Sequence, residues 1–223
     1  MNNLSVFDII GPVMIGPSSS HTAGAVRIGN LAREIVDHQL KDVKIYFHGS
    51  FKETYQGHGT DKAIIGGLLG LKTDNSSIKR SFALAEAEGF SFEFFPIDLD
   101  DVHPNTVKLE LTDQKDTLTT ITASSIGGGN IIVTELNGTE IKLKGDYYTL
   151  ITFHNDQPGL IAKISEVLQI YNLNIAEMEV LRKQKGRQAT AIINLDQKVE
   201  EHVLKLLRDI PGIDHLKLVK PLV

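Results

Sequence analysis

The sequence predicts an α+β chain built as two units, on three observations. Between residues 40 and 143, at least five short alternating or apolar runs read as strands, interspersed with helical segments. From Tyr147 onward the order changes to strand, helix, strand, strand, helix, strand. Between the two lies the polar Gly145-Asp146 step, so the boundary is placed at 144–147, with a first domain over 1–145 and a second over 147–223. A length of 223 residues suits one or two domains.

Ser5-Val6-Phe7-Asp8 carries a capping serine with an acid three residues on, which predicts a short helix near 5–10, closed by Gly11-Pro12. Ala23, Val26, Ile28, Leu31, Ala32 and Ile35 recur at a helical period, so a helix is expected from about 20 to 37. Val43–His48 alternates as a half-buried strand. Residues 57–62 read as a loop running into an apolar helix, 63–71. A second helix is expected over 78–88, stopped by Gly89, and a strand over 91–97. Runs 107–111 and 117–123 suit a hairpin. Asn137-Gly138, between 131–136 and 141–143, is a type I′ hairpin signal, because both turn residues must adopt positive φ. The second unit reads as strand 147–154, helix 159–171, strands 175–182 and 187–195, helix 198–209 and strand 213–219. That βαββαβ order is the split βαβ, or ferredoxin-like, arrangement.

Composition narrows the function. The chain is 41% hydrophobic and 23% charged, with a net charge of −5 and no long basic run, which argues against nucleic acid as the main partner. It has no cysteine, so it supplies neither disulfide nor thiolate ligand, and this fits the cytoplasm. No apolar run reaches the roughly 18–20 residues of a membrane helix, and Met1–Ser5 has no signal-peptide pattern. A cytoplasmic protein that does not contact membranes is expected.

Four polar clusters carry the chemistry. Ser18, Ser19, Ser20, His21 and Thr22 precede a helix, whose first N–H groups are unpaired and whose dipole is positive there. One serine would serve only as a cap. Three serines, a histidine and a threonine exceed that need and suggest a carboxylate or phosphate site. In Gly57-His58-Gly59-Thr60-Asp61-Lys62, glycines let backbone approach a ligand and His58 suits proton transfer near neutral pH; a tight turn capped by Thr60 or Asp61 is the alternative. His103-Pro104-Asn105 is a third polar loop. Ser124–Asn130, with three glycines, is a fourth and ends on the donor and acceptor of Asn130. The glycines match neither a Rossmann nor a P-loop pattern, and a structural zinc site lacks its ligands.

Taken in this order, residues 16–22, 57–62, 103–105 and 127–130 resemble the beta chain of iron–sulfur-dependent L-serine dehydratase (L-serine ammonia-lyase). Residues 147–223 resemble an ACT domain, with Asn155-Asp156-Gln157-Pro158-Gly159-Leu160 as its first loop. The resemblance implies a carbon–nitrogen lyase of amino-acid metabolism feeding gluconeogenesis. L-serine would lose water to give an aminoacrylate, which becomes pyruvate and ammonia. It implies a 4Fe–4S cluster, with an open iron acting as Lewis acid on the serine hydroxyl. In the family that cluster is held by cysteines of an alpha chain; a chain with no cysteine would take it from such a partner. The first domain's fold is expected to be similar to the allosteric substrate-binding domain of some phosphoglycerate dehydrogenases. That likeness carries the alternative function, a non-catalytic regulatory module for an amino acid or anion.

By the same resemblance, Ser18, Ser19, Ser20, His21 and Thr22 would hold the serine carboxylate. His58 would move a proton, Asp61 would orient His58 or bind the ammonium, and Lys62 would support the carboxylate or close the site. Thr60, His103, Asn105 and Asn130 would line it. Asn155, Asp156, Gly159 and Leu160 would bind an effector or shape an interface, and the ACT domain would pair two copies of the chain. A pyridoxal-phosphate dehydratase, with Lys62 as Schiff-base lysine, is the competing chemistry.

Overall fold

The computed structural model describes residues 11–36, 38–182 and 184–222. The helix expected near 5–10 lies outside them. The chain divides after Lys144 into two compact units.

In the first unit, a π turn at Ser19–Ala23 runs into α1 (Gly24–Ile35). Strand β1 (Leu40–Phe47) leads to α2 (Gly49–His58) and α3 (Thr60–Leu68). A 3-10 turn at Ser76–Arg80 and α4 (Ser81–Glu88) return the chain to β2 (Ser91–Pro96). Then come β3 (Thr106–Asp113), β4 (Leu118–Gly127), β5 (Asn130–Leu136) and β6 (Thr139–Leu143). The six strands form one sheet ordered β2-β1-β3-β4-β5-β6. Because three helices intervene, β2 returns parallel to β1; the other neighbours pair antiparallel.

Alternation sets the faces. In β1, Val43, Ile45 and Phe47 are buried, and their cross-strand neighbours Leu111, Leu109 and Val107 in β3 are buried with them. Each such large side chain removed from water contributes about 1.5–3 kcal/mol. Between them, Lys44, Tyr46, Lys108 and Glu110 stay wetter, with the Tyr46 hydroxyl donating to Glu110 at 3.1 Å. Helix α1 lies over β4 and β5, and α2 packs against β1 and β3. Asn137 and Gly138 both take positive φ, +50° and +70°, as the β5–β6 hairpin signal required.

Sequence periodicity misses α2 altogether. It has one fully buried side chain, Phe51, so no apolar stripe marks it. The expected 57–62 loop is a one-residue joint. Gly59 sits at φ +68° between the end of α2 and the start of α3, a conformation glycine adopts without steric cost.

Helices α1 and α3 meet backbone to backbone. A Cβ on Gly67 would lie 2.8 Å from Gly29 Cα and 2.9 Å from Asn30 N, and would overlap the Val26 carbonyl. A Cβ on Gly29 would meet the Ile64 carbonyl and Gly67 Cα in the same way. These are rigid backbone atoms, so neither position accepts a side chain without the helices separating.

The second unit is β7 (Tyr148–Asn155), α5 (Leu160–Ile170), β8 (Ile175–Arg182), β9 (Gln188–Leu195), α6 (Glu201–Arg208) and β10 (Ile213–Val219), in sheet order β10-β7-β9-β8. This is the ferredoxin-like βαββαβ arrangement expected. Its core joins Leu150, Ile164, Leu168, Ile193, Leu204 and Leu207. His154 is buried on β7, its Nδ1 3.0 Å from the Thr152 hydroxyl, and burial holds its pKa below the ordinary value.

Two outcomes are expected. Gly67→Ala should lower unfolding stability by about 1–3 kcal/mol in denaturant titration, as overpacking against fixed atoms does. For His154, the fold favours the neutral ring. Its contribution to stability is complete above about pH 6.5 and is lost as pH falls through the lowered folded-state pKa. His154→Gln should therefore show a smaller loss of melting temperature on acidification than the parent chain.

Candidate functional site

The close approach of α1 and α3 brings two helix starts together. At the first, Ser18 is the N-cap. It is extended at φ −142°, and its hydroxyl accepts the His21 amide at 3.2 Å while its carbonyl accepts the Thr22 amide at 2.9 Å. One of the three serines thus caps the helix. The Thr22 hydroxyl donates to the His58 carbonyl at 3.2 Å, which ties this first turn to the α2–α3 joint.

That tie places His21 against His58, ring centroids 4.8 Å apart and tilted by 42°. His21 is held on every side. Its Nδ1 lies 3.0 Å from the Ser20 hydroxyl, its Nε2 lies 3.0 Å from the Ser50 hydroxyl, and its ring meets Phe51 edge-on at 5.1 Å. Burial first, then the neighbouring charge of His58, lowers the His21 pKa. His58 is held less tightly. Its Nδ1 is buried without a hydrogen-bond partner among the described residues, as are the Thr60 and Ser125 hydroxyls. Such atoms cost about 1–3 kcal/mol each when left unmade, so they mark places where a ligand or water gains by binding.

The other expected residues divide. Asp61 is buried, but it does not orient His58: its Oδ1 accepts the Lys62 amide at 2.7 Å, and no hydrogen bond joins it to His58 among the described residues. Burial raises its pKa, with the Lys62 amide and charge opposing. Lys62 is exposed, and its carbonyl takes the Ser81 hydroxyl at 2.8 Å. His103 is exposed and turned onto its own loop, its Nδ1 accepting the Asn105 amide at 3.1 Å. That loop reaches the site through backbone: the Pro104 carbonyl accepts the Ser50 amide at 2.9 Å, and the Asn105 carbonyl accepts the Ser125 amide at 3.0 Å. Asn130 is exposed at the start of β5, beside a turn whose Gly129 carbonyl accepts Arg27 Nη1 at 3.1 Å. Ser19 stays half-buried in the π turn.

In the second unit, Asp156 holds a hairpin. Its Oδ2 accepts the Gly186 amide at 2.9 Å and Arg182 Nη1 at 2.7 Å, which lower its pKa. Leu160 is a core side chain. These two lie in the wrong places to grip an effector directly, whereas Asn155 and Gly159 are exposed.

Ser125, from the fourth cluster, joins the arrangement, and Ser50, Phe51 and Arg27 complete it from outside the sequence candidates. Ser50 had one signal, a Gly-Ser step immediately after an alternating strand. As for metals, iron–sulfur clusters take thiolate ligands. The sequence has no cysteine, and among the described residues no three His, Asp or Glu side chains gather to hold a metal ion. The residues present do not fit the 4Fe–4S cluster. No helix of the described residues is long and apolar enough to cross a membrane.

Because burial favours the protonated carboxyl, Asp61 contributes stability below its ordinary pKa and loses it as pH rises through the raised value. Asp61→Asn should therefore raise the unfolding midpoint at neutral pH. The difference should close by about pH 3 in a pH series of thermal melts.

Residues 5–88 match the family model "Serine dehydratase beta chain", and residues 148–212 match "ACT domain". The chain is 49% identical over 213 residues to the probable L-serine dehydratase beta chain of Bacillus subtilis, covering 96% of each. It is 35% identical over 221 residues to the L-serine dehydratase beta chain of Peptoniphilus asaccharolyticus, covering 99% of this chain and all of that one. A D-3-phosphoglycerate dehydrogenase of Bacillus subtilis is 26% identical over 196 residues, which is 87% of this chain but 37% of that protein. With near-complete coverage at this identity, the paired histidines and the C-terminal ACT domain belong to a member of the L-serine dehydratase beta-chain family.

Proposed function

We propose that this chain is the beta subunit of an L-serine ammonia-lyase that converts L-serine to pyruvate and ammonia in the cytoplasm. The observation that carries the reading is the His21–His58 pair, 4.8 Å apart and walled by hydroxyls, in a chain 49% identical to a named beta chain. In this reading the first unit, 1–145, is the substrate domain and the second, 147–223, is regulatory. The turn at Ser18–Thr22, with its hydroxyls and helix-start amides, holds the substrate carboxylate. His58, whose Nδ1 lacks a protein partner, removes the α-proton. Asp61 binds the ammonium, Thr60 lines the site, and Lys62 is a charge on the first turn of α3. His103, Asn105 and Asn130 act through their loops.

Because this chain has no cysteine, the 4Fe–4S cluster would belong to a separate alpha chain. The ACT unit pairs two copies of this chain, and the exposed Asn155 and Gly159 bind an effector or shape that interface. The exposure of Lys62 counts against a buried Schiff base, so pyridoxal phosphate is the weaker chemistry.

A second reading, a regulatory amino-acid-binding module, is favoured by one finding, the similarity to a phosphoglycerate dehydrogenase over 87% of this chain. Co-purification separates the two. A cysteine-bearing partner should come down with this chain, with iron–sulfur absorbance and L-serine turnover in the mixture and neither in this chain alone. In that complex His58→Ala should lower turnover by about 100-fold or more. Unchanged turnover removes His58 from the reaction, and failure to recruit such a partner leaves the regulatory module.

A further inference from the structure

We infer that Ser50 is a positioning residue of the site: its hydroxyl anchors Nε2 of His21 and so holds that ring in the orientation in which it stands beside His58. The inference rests on reading the histidine pair as the reactive centre. It adds a residue outside every cluster that the sequence marked.

A neutral imidazole has one N–H donor and one acceptor nitrogen, and its partners decide which is which. Both ring nitrogens of His21 touch serine hydroxyls at 3.0 Å, Ser20 at Nδ1 and Ser50 at Nε2. A hydroxyl plays either role, so these contacts accommodate either tautomer; what they fix is the ring's orientation, and how firmly depends on how firmly each oxygen is placed. Ser20 belongs to the same turn as His21. Ser50 comes from the start of α2, after β1, and its backbone is clamped on both sides. Its amide donates to the Pro104 carbonyl at 2.9 Å, and its carbonyl accepts the Thr54 hydroxyl at 2.7 Å. Gly49, at φ +52°, lets this step lie against Pro104, where a side chain would overlap the Pro104 carbonyl oxygen and its Cα at about 3.0 Å.

The Pro104–Ser50–His21 line therefore links the 103–105 loop to the histidine pair through backbone, although the His103 ring is turned away. It also gives the two imidazoles different duties. His21 has both nitrogens engaged by protein and a pKa lowered by burial. His58 has a buried nitrogen with no protein partner. The first is engaged at both nitrogens and oriented; the second leaves a buried nitrogen without a protein partner.

The test begins with the full chain alone. Long-range nitrogen–proton NMR of the His21 ring should report one sharp ring environment in the parent chain and displaced or exchange-broadened ring signals in Ser50→Ala, with Ser50→Thr restoring the parent pattern by returning the hydroxyl. Far-ultraviolet circular dichroism and melting temperature identify a folding failure. If Ser50→Ala does not fold, Ser50→Cys supplies the weakened hydrogen bond in its place. His21 nitrogen shifts unchanged on loss of the hydroxyl would overturn the inference. In the reconstituted two-chain enzyme, Ser50→Ala should lower kcat by about 10–100-fold with little change in KM and displace one limb of the pH–rate profile. Altered His21 ring signals with an unaltered kcat and pH profile would overturn the positioning role. These failures differ from failure of the lyase reading, in which no turnover is found with any partner while the Ser50–His21 contact still registers by NMR.

Discussion

Helices α1 and α3 touch through backbone at Gly29 and Gly67, and the candidate site sits where it does because of that contact. Two helices with ordinary side chains at their crossing keep their axes about 8–10 Å apart. Glycine at both positions removes the spacer, so the Val26 carbonyl and the Gly29 and Gly67 Cα atoms meet directly. With the crossing this tight, the starts of both helices become neighbours. The Thr22 hydroxyl reaches the His58 carbonyl, and the two imidazoles come within 4.8 Å. The sheet below adds to the wall: β4 presents Ser125, buried against Gly24 at the start of α1.

Much of this was legible in the sequence, for identifiable reasons. Asn137-Gly138 declares its hairpin because few other pairs take two positive φ angles. The second unit declares its βαββαβ order because its elements keep their periods and all but one of its joints carry Gly, Pro or Asn, the exception being 196–200. The Ser18–Thr22 and Gly57–Lys62 runs stand out because hydroxyls, imidazoles and glycines concentrate there beyond structural need. Helix α2 was illegible because Phe51 alone is fully buried, and Ser50 because its partners are 29 and 54 residues away in sequence. Only tertiary structure joins Ser50 to His21.

Contiguous motifs also mislead in a systematic way. On a helix, residues i and i+1 point about 100° apart and do not face one ligand together. Asp61 and Lys62 illustrate it: one is buried and the other exposed. The ACT loop repeats the lesson. Leu160 begins α5 and turns into the core, Asp156 bonds across to Arg182 and Gly186, and the exposed Asn155 and Gly159 are what remains at the surface. A run of conspicuous residues marks where a site is. The helical phase and the first hydrogen bond of each residue decide which of them belong to it.

The unmade hydrogen bonds give the site its direction. The His58 Nδ1 and the Thr60 and Ser125 hydroxyls are buried without partners among the described residues, at about 1–3 kcal/mol apiece. Asp61 adds a carboxyl whose ionised form burial disfavours. A domain of ordinary stability, about 5–15 kcal/mol, keeps such groups only where the surrounding packing is strong enough to hold them. Here the glycine contact and the buried β1–β3 pairs supply that packing. A molecule that satisfies these atoms relieves their cost as it binds, so part of its affinity comes from the fold's own strain.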